Sequence, residues 1–374
     1  MSPNLPHDLS HRAHLPPLPE HDLDHVLNLT AGDWERARGK RLFITGGTGF
    51  FGIWLLESFL HAEIRLRLGA KIVVLTRSPE TFIARVPHLA EQPSLEFHGG
   101  DMTMFDFPQG KFDLVIHAAT QTVASSSHDP LDIFERNVLG TRRVLEFARQ
   151  AGTERLLLTS SGAVYGRQPP DLERIPEEYP GAPETSDPST FYGQSKRISE
   201  FLCAAFARRY GFESMIARCF AFVGPHLPLS SNYAIGNFLR DALAGGPIRV
   251  TGDGTPRRSY LYAADLAAWL WVILFRGASC RAYNVGSEDD ISIADLAQVV
   301  SREAHPRAAV SIASTPQPDQ RSERYVPSTH RAVKELGLRA LVSLPEGIRR
   351  TATWYADIAR RMAIPDPSNR EKHR

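Results

Sequence analysis

A chain of 374 residues with 42% hydrophobic content can bury one large core or two unequal ones, the profile of a globular enzyme. Its 43 basic side chains balance 42 acidic ones, so no broad field attracts nucleic acid or an anionic membrane. Cys203, Cys219 and Cys280 are odd in number and widely spaced, which argues against a disulfide framework or a zinc cluster and suits a reducing cytoplasm.

Residues 1–30 are rich in Pro and His without apolar periodicity and read as a mobile or draped extension with no signal core after Met1. His7, His11, His14, His21 and His25 lack a matching carboxylate or cysteine pattern, so no metal is expected. Asp33 to Arg38 has room for a helical turn or two. Residues 41–52 then read as strand, tight turn and helix start. Gly46 lets the backbone turn, Gly49 lets a pyrophosphate approach the helix N-terminus, and Gly52 lets the helix from Phe50 pack on its strand.

Apolar runs at Arg41–Thr45, Lys71–Thr76, Leu95–His98, Asp113–Ala118 and Arg155–Thr159 alternate with helical patterns near 50–60 and 131–151. This rhythm predicts an α/β fold with a parallel, doubly wound sheet, whose ligands bind at the carboxyl ends of the strands. Arg77 follows the second strand, where an NAD site usually offers Asp or Glu. A guanidinium there suits a 2′-phosphate, and so NADP, or stacks on adenine with NAD. Tyr192 and Lys196 are four apart, so a helix puts both on one face, where the ammonium can favour the phenolate. Ala263–Phe275 is too short to span a bilayer and contains Asp265, so it reads as a packed helix in a soluble, cytoplasmic protein with no membrane partner.

Gly-x-x-Gly-x-x-Gly, the strand end at Ser160-Ser161 and Tyr192-x-x-x-Lys196 together resemble the extended short-chain dehydrogenases/reductases, in particular their NAD-dependent nucleotide-sugar epimerases and dehydratases, over about residues 40–355. The resemblance implies a Rossmann-type doubly wound sheet with a smaller C-terminal substrate-binding lobe. In this reading residues 1–39 are an N-terminal extension and 40–220, with returning segments near 260–290, bind the dinucleotide. Residues 221–360 mostly bind a nucleotide sugar, and 361–374 form a charged tail. The implied cofactor is NAD, with NADP kept open by Arg77. Its binding positions would be Gly46, Gly49, Phe50, Phe51, Gly52, Arg77, Asp101, Met102, Ala118, Ala119, Thr120, Asn137, Tyr192 and Lys196. Ser161, Tyr192 and Lys196 would be catalytic.

Relatives that are 4,6-dehydratases carry Asp and Glu after the Ser161 position, and sugar-acid decarboxylases carry a Glu there. This chain has Gly162 and Ala163, which move no proton. The resemblance therefore implies a nucleotide-sugar 4-epimerase working through a transient 4-keto sugar. Alternatives are an NADPH-dependent 4-ketosugar reductase, then an atypical dehydratase or decarboxylase; a silent cofactor-sensing protein would commonly lack the Tyr-Lys pair. Substrate positions by resemblance are Ser161, Gly162, Asn237, Phe238, Arg258 on the diphosphate, and Arg321 ahead of Arg324 in a closing loop. Ala221 replaces a common Asn, and Asp265 is expected to cap its helix. A homodimer through helices near 131–151 and 192–210 is implied as well.

Overall fold

Strand β1 (Arg41–Thr45) is buried at every position after Arg41 because both faces of its sheet are covered. Its alternate residues enter different cores: Leu42 and Ile44 join Trp54, Phe59 and Trp271 on one face, whereas Phe43 joins Phe105, Phe112 and Phe147 on the other. The computed structural model describes residues 14–122, 129–230, 233–304, 308–316 and 322–363.

The central sheet adds β2 (Lys71–Thr76), β3 (Leu95–Gly99), β4 (Leu114–His117), β5 (Arg155–Ser161), β6 (Glu213–Cys219) and a late strand, β7 (Ala282–Val285). Its order is β3-β2-β1-β4-β5-β6-β7, with every neighbouring pair parallel. Chain direction reverses across the sheet between β1 and β4, and that switch point opens a crevice at the strand ends. The helices, in chain order, are α1 (Glu20–Thr30), α2 (Phe50–Leu66), α3 (Pro79–Arg85), α4 (Pro130–Gln150), α5 (Phe191–Tyr210), α6 (Ala234–Leu243), α7 (Ala263–Arg276), α8 (Ile293–Ala304), α9 (His330–Leu336) and α10 (Leu344–Ala363). Helix α7 is buried from Ala263 to Phe275, as its composition predicts. No helix among the described residues is long and apolar enough to cross a membrane.

After β6 the chain also builds short strands outside the central sheet. Arg257–Ser259 pairs antiparallel with Asp290–Ser292 and parallel with Arg324–Tyr325, which puts Tyr325 opposite Arg258.

Of the segment expected to be mobile or draped, the part from Leu15 onward lies packed against the body, with α1 along α7. Leu23, Val26, Leu27 and Thr30 form its apolar stripe, masked in the sequence by interleaved His and Asp. Buried Asp22 accepts the Tyr262 hydroxyl at 2.6 Å and the Arg350 guanidinium at 2.6 Å, tying α1 to α10. Asp265 also departs from expectation. It does not cap its own helix; one carboxylate oxygen takes the backbone N–H groups of Leu341 and Val342 at 2.9 and 3.0 Å, and the other meets His25 at 2.7 Å. His7 and His11 lie outside the described residues.

Removing Asp22 leaves the buried Tyr262 hydroxyl without its acceptor, while Arg350 keeps Glu346 at 2.7 Å. Asp22→Ala is therefore expected to lower the unfolding free energy by roughly 1–3 kcal/mol, read as a fall in the urea midpoint. Asp24→Ala, which removes a half-exposed carboxylate from His61 and Arg65, is expected to cost at most about 1 kcal/mol.

Candidate active site

The glycine turn is shaped as its spacing predicts. Gly46 has φ of 74°, and a Cβ there would lie 2.5 Å from the backbone of Ala118 and Ala119. A Cβ on Gly52 would lie 2.2 Å from the Gly46 carbonyl, so α2 can approach β1 only with glycine. Gly49 caps α2, is exposed and has only the Gly46 carbonyl near its missing Cβ, at 3.6 Å. The helix N-terminus thus faces open space, as an anion cradle requires. Phe50 and Phe51 stand in a tilted pair beyond it, and Phe51 meets Phe222 edge-on at 5.1 Å.

A chain of buried hydrogen bonds ties this turn to the far side of the crevice. The Ala119 N–H donates to Thr45 Oγ1 at 3.2 Å, and Thr45 Oγ1 lies 2.7 Å from His117 Nδ1. His117 Nε2 lies 3.1 Å from Thr141 Oγ1, which donates to the Asn137 carbonyl. When Thr141 gives its hydrogen to that carbonyl, His117 donates from Nε2 and accepts at Nδ1. Burial, then the Lys196 charge, pushes its pKa down to about 3, so the ring is neutral. Asn137 braces both sides of the site. Its oxygen accepts from the Gln121 N–H at 2.9 Å and the Thr120 hydroxyl at 3.3 Å, while its amide donates to Ser195 Oγ on α5 at 3.2 Å.

Ser161, Tyr192 and Lys196 meet at the end of β5. Ser161 Oγ accepts from the Ala163 N–H at 3.1 Å and lies close enough to the phenols of Tyr192 and Tyr325 to oppose the rise of both pKa values. Burial, then the neighbouring phenols Tyr233 and Tyr325, holds Tyr192 well above the ordinary tyrosine range, against the pull of Ser161. Lys196 stands on the same face of α5, one turn on from Tyr192. Its ammonium donates to the Thr159 carbonyl at 2.9 Å and stands 5.9 Å from the Tyr192 ring centre. Burial pulls Lys196 itself down to about 8.

Other expected positions divide. Arg77 is exposed and pairs with no described residue, so its guanidinium is available at the end of β2. Asp101 has both oxygens engaged, one by Thr103 and the other by Arg136 at 3.2 Å; burial opposes its charge, yet these bonds hold its pKa below the usual range. Met102 packs against Gly140 of α4. Arg258 sits 5.9 Å from the Tyr325 ring, within reach of the site. Asn237 is turned to Arg240 at 3.1 Å, and Phe238 is buried in the apolar core. The helical period puts Phe238 inward, so of the expected substrate-facing Asn-Phe step only the partly exposed Asn237 is left to face a ligand. Arg321 lies outside the described residues.

Sequence reasoning missed Tyr325 and Tyr233. Tyr325 stood one residue beyond Arg324 in the loop already singled out, but only its pairing with Arg257–Ser259 carries the phenol to Ser161. A Cβ on Gly162 would lie 2.6 Å from the Tyr325 hydroxyl and 2.7 Å from the Phe220 ring. Those aromatic rings fill the space that a longer side chain at 162 would need.

The NAD dependent epimerase/dehydratase family matches residues 42–286. The chain belongs to this family. It is 27% identical over 317 residues to UDP-glucuronic acid decarboxylase 1 of Xenopus tropicalis, spanning 84% of this chain and 72% of that one. Among solved structures, an epimerase from Methanothermobacter thermautotrophicus superposes with a TM-score of 0.73 at 26% identity, over 90% of this chain and 98% of that one. A dTDP-glucose 4,6-dehydratase from Streptomyces venezuelae, solved with NAD bound, gives 0.71 at 25% identity over 85% and 97%. This member of the NAD dependent epimerase/dehydratase family is thus an enzyme with NAD as its cofactor, and the Gly46–Gly52 cradle fits that group.

The buried neutral histidine gives the family member an acid-labile core. The unfolded chain takes up a proton on His117 near pH 6.5 while the native chain does not until about pH 3, so stability falls as pH drops through that window. His226, pushed down to about 3 by burial and then by Arg85 and His88, acts in the same direction. Each histidine is expected to contribute a loss of about 1.4 kcal/mol per pH unit. Urea midpoints between pH 7 and pH 4 check this, and replacing both histidines by Gln should flatten the slope.

Proposed function

We propose that this enzyme is a cytoplasmic nucleotide-sugar 4-epimerase. The observation that carries the reading is Gly162: serine, tyrosine and lysine are assembled around the strand end, while the position of the dehydratase acid is closed by Tyr325 and Phe220. The residues present can move one proton and position a hydroxyl, which is what epimerisation at a single carbon demands. When bound, NAD would take up a hydride from the sugar carbon and return it to the other face.

In this reading Tyr192 is the proton carrier. Burial holds its phenol protonated, so positive charge beside it, from Lys196 and the cofactor, would free the oxygen to accept the sugar hydroxyl proton. Ser161 donates a hydrogen bond that steadies the same oxygen. Asn137 holds α5 and the Thr120–Gln121 turn at a fixed separation, so Tyr192 and Lys196 keep their places as substrate enters. Arg258 would take two oxygens of the diphosphate. Residues 40–220 with returns near 260–290 would form the dinucleotide unit, and 221–360 most of the sugar-nucleotide lobe.

A second reading, nucleotide-uronic acid decarboxylation, is favoured by the UDP-glucuronic acid decarboxylases among the relatives. Oxidation at the sugar carbon next to a carboxylate-bearing one would suffice for loss of carbon dioxide, with the Tyr192 proton returned to the product. Incubation with a panel of nucleotide hexoses and uronic acids, followed by NMR, separates the two. A 4-stereoisomer formed without added NADH supports the epimerase, and pentose with carbon dioxide overturns it. Tyr192→Phe should reduce turnover at least 100-fold on the true substrate; unchanged turnover would sink the assignment of the proton carrier.

We propose in addition a homodimer through α4 and α5, where Leu131, Leu139 and Phe201 are 69%, 52% and 69% exposed. Sedimentation should give twice the chain mass, and Leu139→Glu should return the monomer.

A further inference from the structure

Gly162 has no side chain, yet the space where one would begin holds a phenol oxygen. The Tyr325 hydroxyl lies 2.6 Å from where a Cβ on Gly162 would stand, so it reaches the residue next to Ser161. Its ring is held there from two sides. Phe220 packs on it at 4.7 Å between ring centres, and the Arg258 guanidinium stands 5.9 Å from its centre. The neighbouring chain is fixed as well: Arg324 pairs with Asp290 at 2.9 Å, and the Val326 N–H donates to Gln168 at 2.9 Å.

The phenols of this chain divide by what their hydroxyls do. Tyr165 donates to Asn284 at 2.8 Å, Tyr262 to Asp22 at 2.6 Å and Tyr355 to the Leu227 carbonyl, and all three are buried structural groups. Tyr192 and Tyr325 are only partly buried, and both stand beside Ser161, one brought by α5 and the other by the small three-stranded sheet. Ser161 Oγ spends one lone pair on the Ala163 N–H. That leaves one lone pair and one hydrogen, enough to accept from one phenol and donate to the other. Tyr233, Cys219 and Arg258 are the other ionisable groups around Tyr325, and burial outweighs them in keeping its phenol protonated. Tyr325 therefore has a proton to give.

We propose that Tyr325 is a second catalytic residue, the proton donor for the half of the reaction that reduces the ketone. The inference rests on the reading that a sugar hydroxyl is oxidised at Tyr192 and later restored. In the first half a hydride passes from the sugar carbon to the nicotinamide, and the hydroxyl proton passes to the Tyr192 phenolate. Turning the other face of the ketone to the nicotinamide carries the ketone oxygen across Ser161 to Tyr325. In the second half the hydride returns to that face, and the alkoxide oxygen takes the Tyr325 proton. Ser161 then passes its hydrogen to the Tyr325 oxygen and takes the one held by Tyr192. Both phenols are back in their starting states, with no net proton gained or lost.

The test compares Tyr325→Phe with Tyr192→Phe in the full chain with NAD bound, on whichever of UDP-glucose and UDP-glucuronic acid the native enzyme converts. Both conversions end in reduction of a 4-ketone, so failure of the epimerase reading leaves the comparison intact. In a single turnover Tyr192→Phe should form no reduced nicotinamide. Tyr325→Phe should form it at the native rate and then lose it about tenfold more slowly or worse, with ketosugar released and seen by NMR. The substitution keeps the ring that packs on Phe220, and an unchanged urea midpoint checks that the fold is kept. A second measurement needs no turnover. Tyrosinate absorbance, followed against pH with NAD and UDP bound, should show the Tyr192 ionisation moved upward in Tyr325→Phe and in Ser161→Ala, since each breaks the hydrogen-bond chain that steadies the phenolate. A slowed first half, an unchanged loss of reduced nicotinamide, or a tyrosinate titration indifferent to Tyr325→Phe would each overturn the proposal.

Discussion

The site depends on one buried imidazole that must stay neutral. His117 sits at the end of β4 and satisfies both ring nitrogens through the hydroxyls of Thr45 and Thr141, donating from one nitrogen and accepting at the other as only a neutral ring can. That ring links the end of β1, the end of β4 and α4, and Thr141 continues the line to Ser199 of α5 at 2.9 Å. A protonated ring would have two donors and no acceptor for the Thr45 hydroxyl, with the Lys196 charge close by. The crevice of the doubly wound sheet arises from topology. Its width at this point is set by the hydrogen-bond chain, which joins the strand carrying the glycine turn to the helix carrying Tyr192 and Lys196.

Sterics and electrostatics divide the crevice. At the cradle, glycines allow backbone contacts that any Cβ would block, so an anion can come close to α2. At the reacting end the reverse applies. Tyr325 and Phe220 crowd Gly162, and burial raises the phenols of Tyr192 and Tyr325 instead of stabilising charge. Buried Cys219 is pushed up to about 12 beside the same lysine, so it adds no thiolate.

Much of this was legible in the sequence because it follows from local pattern. Gly46, Gly49 and Gly52 act within one turn, and the four-residue spacing of Tyr192 and Lys196 acts within one helix, so periodicity alone places them. The parallel sheet follows from the alternation of apolar runs and helices. Long-range contacts were not legible. Tyr325 reaches Ser161 only because a two-residue strand pairs with Arg257–Ser259, and neither segment has a period of its own. Phe238 was misplaced for a related reason: the pair Asn237-Phe238 looks the same whichever face of α6 is buried. Asp265 read as a cap because its partners, the N–H groups of Leu341 and Val342, lie more than seventy residues away.

The N-terminal helix gives the clearest case of a distant contact with a consequence for the site. Asp22 alone would be an uncompensated buried carboxylate, and Tyr262 and Arg350 alone would leave a phenol and a guanidinium with poorer partners. Together they join α1, the start of α7 and α10. Tyr262 pairs in a short parallel bridge with Val223, just beyond the end of β6. Trp54 on α2 meets the Tyr262 ring edge-on at 5.9 Å and donates to the Pro225 carbonyl at 2.9 Å. The anchor therefore bears on both the helix behind the glycine turn and the segment that leaves β6 for the substrate side. A segment whose composition suggested a loose tail thus helps fix how the two walls of the crevice meet.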